Sequence, residues 1–321
     1  MLYDWSDDIP DSILSDFIAE YELAGIRRVT YESAEEAAIS IQEGLYFDVA
    51  VVESDYIPDL VEKGRLAALD PRRFPNMRHI AANFRDLAYD PDNRYTVPYT
   101  WGSTGLLVRS DRITGKVSRW ADLWQPEFQG KVALRRQPTE LISVALKSLG
   151  YPLNCEDPQA LEAALQYLIQ LRPGAFFVET DTGPAMEAFL NSPAVIMVGW
   201  PEDALVSRKY DPAVQYILPE EGSMLWSDNL VISARSAYSR EAELFLDYLM
   251  RPEVNARIVN EQYYSTANEA AAEFIEKDML NNPILFPPIE DLRRSEWYMP
   301  LSPTGKLLYA DIWQRFLEAS D

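Results

Sequence analysis

Helical and extended patterns alternate along this chain from its first residues. Leu2–Trp5 reads as a strand, residues 13–21 repeat apolar side chains at helical spacing, and residues 47–52 form a nearly continuous apolar run. An apolar run of this kind is typical of a strand that is buried on both faces of a parallel sheet. Because strand and helix patterns keep alternating, the sequence predicts an α/β fold.

The ends of the second predicted helix are marked by polar residues and a glycine. Ser33 followed by Glu36 is the signature of a capping box, in which each side chain binds a backbone N–H at the start of a helix. Gly44 follows the last apolar position, and glycine is common just after a helix end because it tolerates the left-handed conformation. We therefore expect a helix between Ser33 and Gly44.

At 321 residues, the chain is long enough for two lobes. A second alternating set of strands and helices runs from residue 131 to residue 218, and the small and polar residues 99–104 suit a crossover between the two sets. Lobes joined by more than one crossover leave a ligand cleft between them, and ligands lie at the carboxyl ends of the strands. We predict a first lobe of residues 1–103 plus 227–272 and a second lobe of residues 104–226 plus 273–321.

The charge of the chain favours positively charged ligands. It carries 51 acidic and 29 basic side chains, which leaves a net charge of −22. Such a chain repels nucleic acid and anionic membranes, and it draws cations toward any cleft that its carboxylates line. Cys155 is the only cysteine and His79 the only histidine, so an internal disulfide is excluded and a catalytic triad would depend on one residue.

Trp226 and Asp228 stand two residues apart at the start of an apolar, β-branched run. Alternation along a strand places both side chains on one face. An indole surface beside a fixed anion suits an organic cation that has both a charge and an apolar body. Similar pairings occur elsewhere in the chain, namely Trp5 with Asp7, Trp200 with Asp203 and, more loosely, Trp101 with Glu140.

Each of these residues also has a purely structural explanation. Ser6 and Asp7 are natural helix caps, and Asp203 and Glu140 are acids of the kind found in the first turn of a helix. Tryptophans are ordinary core residues. The residues alone therefore leave both interpretations open.

Two other functions fit the same residue types. A glycoside hydrolase uses a pair of carboxylates in an aromatic cleft, one as acid and one as nucleophile or base. The adjacent Tyr263 and Tyr264 could hold a ferric ion through phenolate oxygens.

Several short motifs follow one another along nearly the whole chain. They are Tyr3-Asp-Trp-Ser-Asp7, Val51-Val-Glu-Ser54, Val97-Pro-Tyr-Thr-Trp-Gly102, Trp120-Ala-Asp-Leu-Trp-Gln-Pro-Glu127, Leu149-Gly-Tyr151, Trp226-Ser-Asp228 and Arg251-Pro-Glu-Val254. In this order and at this spacing they resemble the periplasmic spermidine/putrescine-binding proteins of polyamine ABC transporters.

The resemblance implies two α/β lobes around a hinged cleft, the type II fold of periplasmic binding proteins. It also implies capture of a polyamine, either putrescine or spermidine, and its delivery to an ABC permease in the membrane. Neither a catalytic residue nor a cofactor or metal is expected. We expect a monomeric, periplasmic protein in which Met1 stands where an export signal has been removed.

Site residues follow from the same resemblance, position by position. The aromatic walls around the ligand's methylene chain would be Trp5, Trp200 and Trp226, with Tyr264 beside them. The polar contacts from the first lobe would be Ser6, Asp7, Ser54 and Tyr56. The carboxylates that meet the amino groups would be Glu140, Asp203 and Asp228.

Four positions depart from the family pattern. Gln137 stands where spermidine binders carry an acid, Asp8 where an aromatic residue is common, Asp55 where a small polar residue is usual, and Tyr298 where an amide is expected. The missing acid at Gln137 removes a partner for one amine, whereas Asp8 and Asp55 add negative charge elsewhere. The sequence leaves open which polyamine is preferred.

Overall fold

A computed structural model describes residues 1–6, 8–178 and 182–319. The chain divides into two compact units, which we call the first unit (Met1–Gly102 and Trp226–Phe286) and the second unit (Ser103–Leu225 and Pro287–Asp321). Residues 273–286 belong to the first unit, whereas the sequence assigned them to the second lobe. Among the described residues, no helix combines the length and the apolar character needed to cross a membrane.

Both units mix strands and helices, and the predicted α/β fold is confirmed. The strands are β1 (Leu2–Trp5), β2 (Arg28–Tyr31), β3 (Val49–Glu53), β4 (Thr96–Arg109), β5 (Val132–Arg135), β6 (Phe176–Val178), β7 (Ile196–Gly199), β8 (Val214–Ile217), β9 (Met224–Ile232), β10 (Ser265–Thr266) and β11 (Glu296–Trp297). The helices are α1 (Asp11–Glu20), α2 (Ala34–Glu43), α3 (Ile57–Glu62), α4 (Pro138–Ser148), α5 (Pro158–Leu171), α6 (Thr182–Asn191), α7 (Pro201–Arg208), α8 (Ser239–Leu249), α9 (Pro252–Gln262), α10 (Lys277–Leu280) and α11 (Pro303–Glu318).

In the first unit, parallel strands bring their carboxyl ends to one edge of a sheet. β1 pairs in parallel with both β2 and β3, and β9 pairs antiparallel with β3 so that Glu53 lies opposite Asp228. Trp5 ends β1 at the same edge at which β3 ends. The core beneath this sheet includes Val52 and Val231, both buried. The edge is therefore where polar side chains of the first unit can meet.

In the second unit, two helices begin at the carboxyl ends of neighbouring parallel strands. β5 pairs in parallel with β6 and β7, while the second half of β4 pairs antiparallel with β7 and β8. β5 ends at Arg135 shortly before α4, and β7 ends at Gly199 shortly before α7. The first turns of α4 and α7 therefore start at one edge. Apolar side chains of α4, α5 and α11 pack together as the core of this unit.

Residues 96–109 form one continuous strand rather than two short extended pieces on either side of a crossover. Along β4, Thr100 and Trp101 pair with β10, and residues from Gly105 onward pair with β7. Small and polar residues of this stretch are buried; Thr100 and Ser103 are each 2% exposed. The chain passes from the first unit to the second between Gly102 and Ser103, within the predicted crossover at residues 99–104, and it does so as part of a continuous strand.

The predicted capping of α2 is present, with one difference. Ser33 Oγ accepts a hydrogen bond from the Glu36 backbone N–H at 3.1 Å. The Glu36 carboxylate accepts from the backbone N–H of Glu32, at 3.0 Å, which is one residue earlier than a standard capping box. Gly44 ends the helix with φ +105°, in the left-handed region where glycine is favoured. The cap gives a direct test of how local sequence stabilises this unit.

We expect Ser33→Ala to lower the free energy of unfolding by about 0.5–2 kcal/mol, because the Glu36 N–H loses its acceptor. Urea unfolding followed by circular dichroism measures this change. Ser15→Ala is the matched control, since Ser15 is an exposed residue of α1 whose Oγ donates to the Asp11 carbonyl. The control should leave stability unchanged or slightly raise it. Equal effects of the two substitutions would show that the cap contributes nothing specific.

Candidate functional site

The edge of the first unit brings together Trp5, Ser54, Trp226 and Asp228, which we call the first-unit cluster. Trp5 ends β1, and its side chain lies close enough to Asp228 to lower the pKa of that carboxyl. Ser54 is buried and follows Glu53, the residue opposite Asp228 in the sheet. Trp226 and Asp228 lie two residues apart in β9. The sheet thus joins three separate stretches of sequence at one place.

Asp228 is a buried carboxylate with an incomplete set of hydrogen bonds. Asp228 is 7% exposed, and its Oδ2 accepts a hydrogen bond from Thr100 Oγ1 at 3.5 Å. Its Oδ1 has no hydrogen-bond partner among the residues that the structure describes. Burial raises the pKa of Asp228 to about 7, against the opposing effect of Trp5 and of the hydrogen bond from Thr100, and the negative charge of Asp55 raises it further.

The indole of Trp226 lies against the backbone of β4. A Cβ atom added at Gly102 would overlap the six-membered part of this indole. Trp226 is 9% exposed, and its Nε1 has no acceptor within the described parts of the chain. Glycine at position 102 is therefore what allows the ring to lie where it does.

Acidic side chains lie near the first-unit cluster, and one of them, Asp4, is paired with Arg28 at 2.7 Å. Tyr31 and Tyr99 are both buried. Burial raises the pKa of each hydroxyl well above 10, and the negative charges of Asp228, Asp8 and Asp4 add to this effect. Asp8, which stands where the family commonly has an aromatic residue, is 2% exposed and contributes to this negative potential. The surroundings favour a positively charged ligand.

In the second unit, Glu140, Trp200 and Asp203 lie together, and we call them the second-unit cluster. Glu140 is in the first turn of α4 and 7% exposed. Its Oε1 accepts from Thr104 Oγ1 at 2.8 Å and from Trp200 Nε1 at 3.0 Å. Its Oε2 has no hydrogen-bond partner among the described residues. Burial raises the pKa of Glu140, although these hydrogen bonds and the Arg135 charge lower it.

Asp203 is already bound by a cation of the protein. Arg135 Nη1 and Nη2 donate to Asp203 Oδ2 and Oδ1 at 2.5 and 2.6 Å, and both side chains are 0% exposed. The Trp200 backbone N–H also donates to Asp203 Oδ2, at 2.8 Å, as expected at the start of α7. The sequence predicted that Asp203 meets a ligand amine, whereas its oxygens here bind Arg135 and the start of the helix.

The other residues that the sequence predicted as ligand contacts are not part of either cluster. Ser6 is exposed in the turn after β1, and Asp7 lies outside the described residues. Tyr56 is half-buried at the end of a short 3-10 turn after β3, and burial raises its pKa well above 10. Tyr264 is half-buried beyond the end of α9.

Three residues that bind the carboxylates of the two clusters were not predicted from the sequence. Thr100 and Thr104 lie on β4, in the stretch that was read as a crossover, and each donates to a cluster carboxylate. Arg135 is the last residue of β5. A charged residue at the carboxyl end of an apolar strand was a signal that could have found it, because strand ends are where ligands bind in α/β sheets.

Two positions that depart from the family pattern, Gln137 and Tyr298, lie in the second unit. Gln137 precedes α4 by one residue and is half-buried. The Tyr298 hydroxyl contacts the sulfur of Met224 at 3.4 Å. Neither side chain carries a charge, so Glu140 and Asp203 supply the carboxylates of this cluster.

Residues 19–287 match the family described as bacterial extracellular solute-binding protein, and the chain belongs to this family. It is 30% identical to the spermidine/putrescine-binding periplasmic protein of Salmonella typhimurium, with 98% of this chain and 90% of that protein covered. It is 31% identical to a putrescine/agmatine-binding protein of Pseudomonas aeruginosa, with 89% of this chain and 82% of that protein covered.

A solved structure has the same fold over nearly the whole chain. It is the substrate-binding protein of a spermidine/putrescine ABC transporter from Streptococcus pneumoniae, with a TM-score of 0.84 and 26% identity. The alignment covers 99% of this chain and 98% of that chain. The fold is therefore that of the periplasmic binding proteins.

The raised pKa of Asp228 predicts how stability depends on pH without a ligand. The folded state keeps a proton up to about pH 7, whereas the unfolded carboxyl loses it near its ordinary pKa of 3.8. The contribution is fully present below pH 3.8 and is lost as pH rises toward about 7. Asp228→Asn should remove this part of the slope, which is at most about 1.4 kcal/mol per pH unit.

Urea unfolding of ligand-free wild type and Asp228→Asn over this pH range measures the two slopes. Asp278→Asn, an exposed position of α10, is the control and should follow the wild type. Equal slopes for the wild type and Asp228→Asn would show that the Asp228 carboxyl titrates normally.

Proposed function

We propose that this member of the bacterial extracellular solute-binding proteins captures a polyamine and delivers it to an ABC permease. The names of its relatives support this proposal, since they bind spermidine, putrescine or agmatine. We place the protein in the periplasm and assign it no catalytic activity. Both assignments rest on the family to which it belongs.

One observation carries the proposal: each cluster keeps a buried carboxylate oxygen without a donor in the described chain. These oxygens are Asp228 Oδ1 and Glu140 Oε2. A buried carboxylate that lacks donors is costly, and an ammonium group offers three N–H donors together with the compensating charge. A ligand with two separated ammonium groups would satisfy both oxygens.

The aromatic residues distinguish an organic cation from an inorganic one. Indoles lie beside both carboxylates, Trp5 close to Asp228 and Trp200 in contact with Glu140. An indole face attracts a cation and also packs against methylene groups, which a metal ion does not have. The net charge of −22 adds a long-range attraction that salt weakens. A polyamine matches each of these features.

We propose that residues of both units contribute to the binding of one ligand. From the first-unit cluster, Asp228 would accept from one ammonium group, and Glu140 of the second-unit cluster would accept from another. The contacts that the resemblance adds are Ser6, Asp7, Ser54, Tyr56 and Tyr264. Asp203 would act through Arg135 rather than touch the ligand.

Titration calorimetry of the ligand-stripped protein against putrescine, spermidine and spermine tests the proposal. We expect monomeric protein to bind one molecule per chain, with a dissociation constant on the order of micromolar or below. Ferric citrate and a panel of simple glycosides are run alongside, the second with an assay for hydrolysis. Absence of heat with every polyamine, or turnover of a glycoside, would overturn the proposed function.

Removing either carboxylate charge should weaken binding. We expect Asp228→Asn and Glu140→Gln each to cost roughly 1–3 kcal/mol, or about 5- to 150-fold in affinity, since a charge-assisted hydrogen bond is lost. Asp278→Asn and Glu187→Gln change exposed acids in the same units and should bind as the wild type does. An unchanged affinity in Asp228→Asn would place the ligand elsewhere.

The affinity for a polyamine should depend on pH through Asp228. Because the pKa of Asp228 in the ligand-free protein is about 7, protons compete with the ammonium group below that pH. We expect affinity to fall by at most about tenfold per pH unit between about pH 7 and about pH 5. The fall should be shallower in Asp228→Asn, as measured by calorimetry in matched buffers. A wild-type affinity that is constant across this range would contradict the assignment.

A further inference from the structure

Arg135 is a fully buried cation that binds both the carboxylate and the indole of the second-unit cluster. Its two terminal nitrogens donate to the two oxygens of Asp203, at 2.5 and 2.6 Å. The guanidinium carbon lies 4.0 Å from the centre of the Trp200 ring. A guanidinium held by two parallel hydrogen bonds and stacked on an aromatic face is a complete cation site.

The chain is shaped around this arrangement. A Cβ atom added at Gly199 would lie 2.6 Å from Asp203 Oδ2 and 3.3 Å from Arg135 Nη1. Asp203 is also held by the Trp200 backbone N–H at 2.8 Å. The space beside the end of β7 is therefore matched to the ion pair, and any larger residue at position 199 would displace it.

An aromatic face with a carboxylate is also what a ligand ammonium group would use. Because Arg135 occupies both, Glu140 is the carboxylate of the second-unit cluster that Arg135 does not bind, and Glu202, buried in the first turn of α7, is a further acid that acts on Arg135. Its Oε1 accepts from Thr104 and Trp200, and its Oε2 has no partner among the described residues. Gln137, just before α4, is an uncharged amide. This cluster therefore offers one carboxylate to a ligand.

We propose that Arg135 is an internal cation that takes the place of a ligand amine, so that the protein selects a diamine over a triamine. The inference rests on the proposed function, and it names Arg135 as the residue that determines how many amino groups the preferred ligand has. Arg135 acts without touching the ligand, because it fills the Trp200 and Asp203 site from within the second unit. Replacing it with a small neutral residue should convert that site into one for an added ammonium group.

The first test compares putrescine with spermidine by titration calorimetry. We expect the wild type to bind putrescine roughly tenfold or more tightly than spermidine. Arg135→Ala should shift this ratio by roughly tenfold or more toward spermidine, because Asp203 then accepts from the extra amine. Arg136→Ala is the matched control, since Arg136 is the exposed neighbour of Arg135 and should keep the wild-type ratio.

A second test needs no polyamine. Arg135→Ala leaves the buried Asp203 without its counter-ion, so the variant should melt at a lower temperature than the wild type. Millimolar methylguanidinium should recover part of that loss, whereas tetramethylammonium, which has no N–H donor, should not. The double variant with Asp203→Asn should show no recovery, because the anion is gone.

Should Arg135→Ala not fold, Arg135→Gln decides, because its neutral side chain keeps the packing of the arginine stem and ends short of the guanidinium position, which stays open. An unchanged putrescine-to-spermidine ratio in a folded variant overturns the inference, as does a wild type that binds spermidine as tightly as putrescine. These results leave the proposed function intact if the wild type binds either amine. If it binds neither, the proposed function fails, and recovery by methylguanidinium still reports whether the cation site exists.

Discussion

Buried negative charge is the constraint on which both clusters depend. Asp228 and Glu140 are each 7% exposed, and the protein supplies too few donors for either carboxylate. Taking a carboxylate out of water without full hydrogen bonding is costly, and each group responds with a raised pKa. The sheet register and the first turn of α4 hold these groups in place. Whatever binds must bring positive charge and N–H donors, which narrows the ligand before any contact with it is considered.

The two units manage this charge differently. In the first unit, further acids lie near Asp228. The neighbouring Tyr31 and Tyr99 are buried and bring no positive charge to it. In the second unit, the Arg135 guanidinium neutralises Asp203, and Glu140 keeps an oxygen without a donor among the described residues. Each unit thus keeps a buried carboxylate oxygen, Asp228 Oδ1 or Glu140 Oε2, to which a positively charged donor could bind.

Much of this architecture could be predicted from the sequence because it depends on local patterns. Ser33 and Gly44 marked the ends of α2. Strand alternation placed Trp226 and Asp228 together. The continuity of β4 could not be seen, because partners distant in sequence satisfy its backbone. The pairing of Arg135 with Asp203 joins residues 68 apart and leaves no periodic signal. The family resemblance named Asp203 as a ligand contact because it compares positions in the sequence, and it does not show that Asp203 is paired with Arg135.

The Arg135–Asp203 pair also limits how the protein can change over evolutionary time. Losing either residue alone leaves a buried charge uncompensated, which typically costs about 3–5 kcal/mol, a large share of the stability of an ordinary domain. The two positions can therefore be exchanged only together, or in an order that a bound cation makes tolerable. A descendant that lost only Arg135 would rely on its cargo to complete its own folded state. Its abundance in the cell would then follow the supply of the molecule it transports.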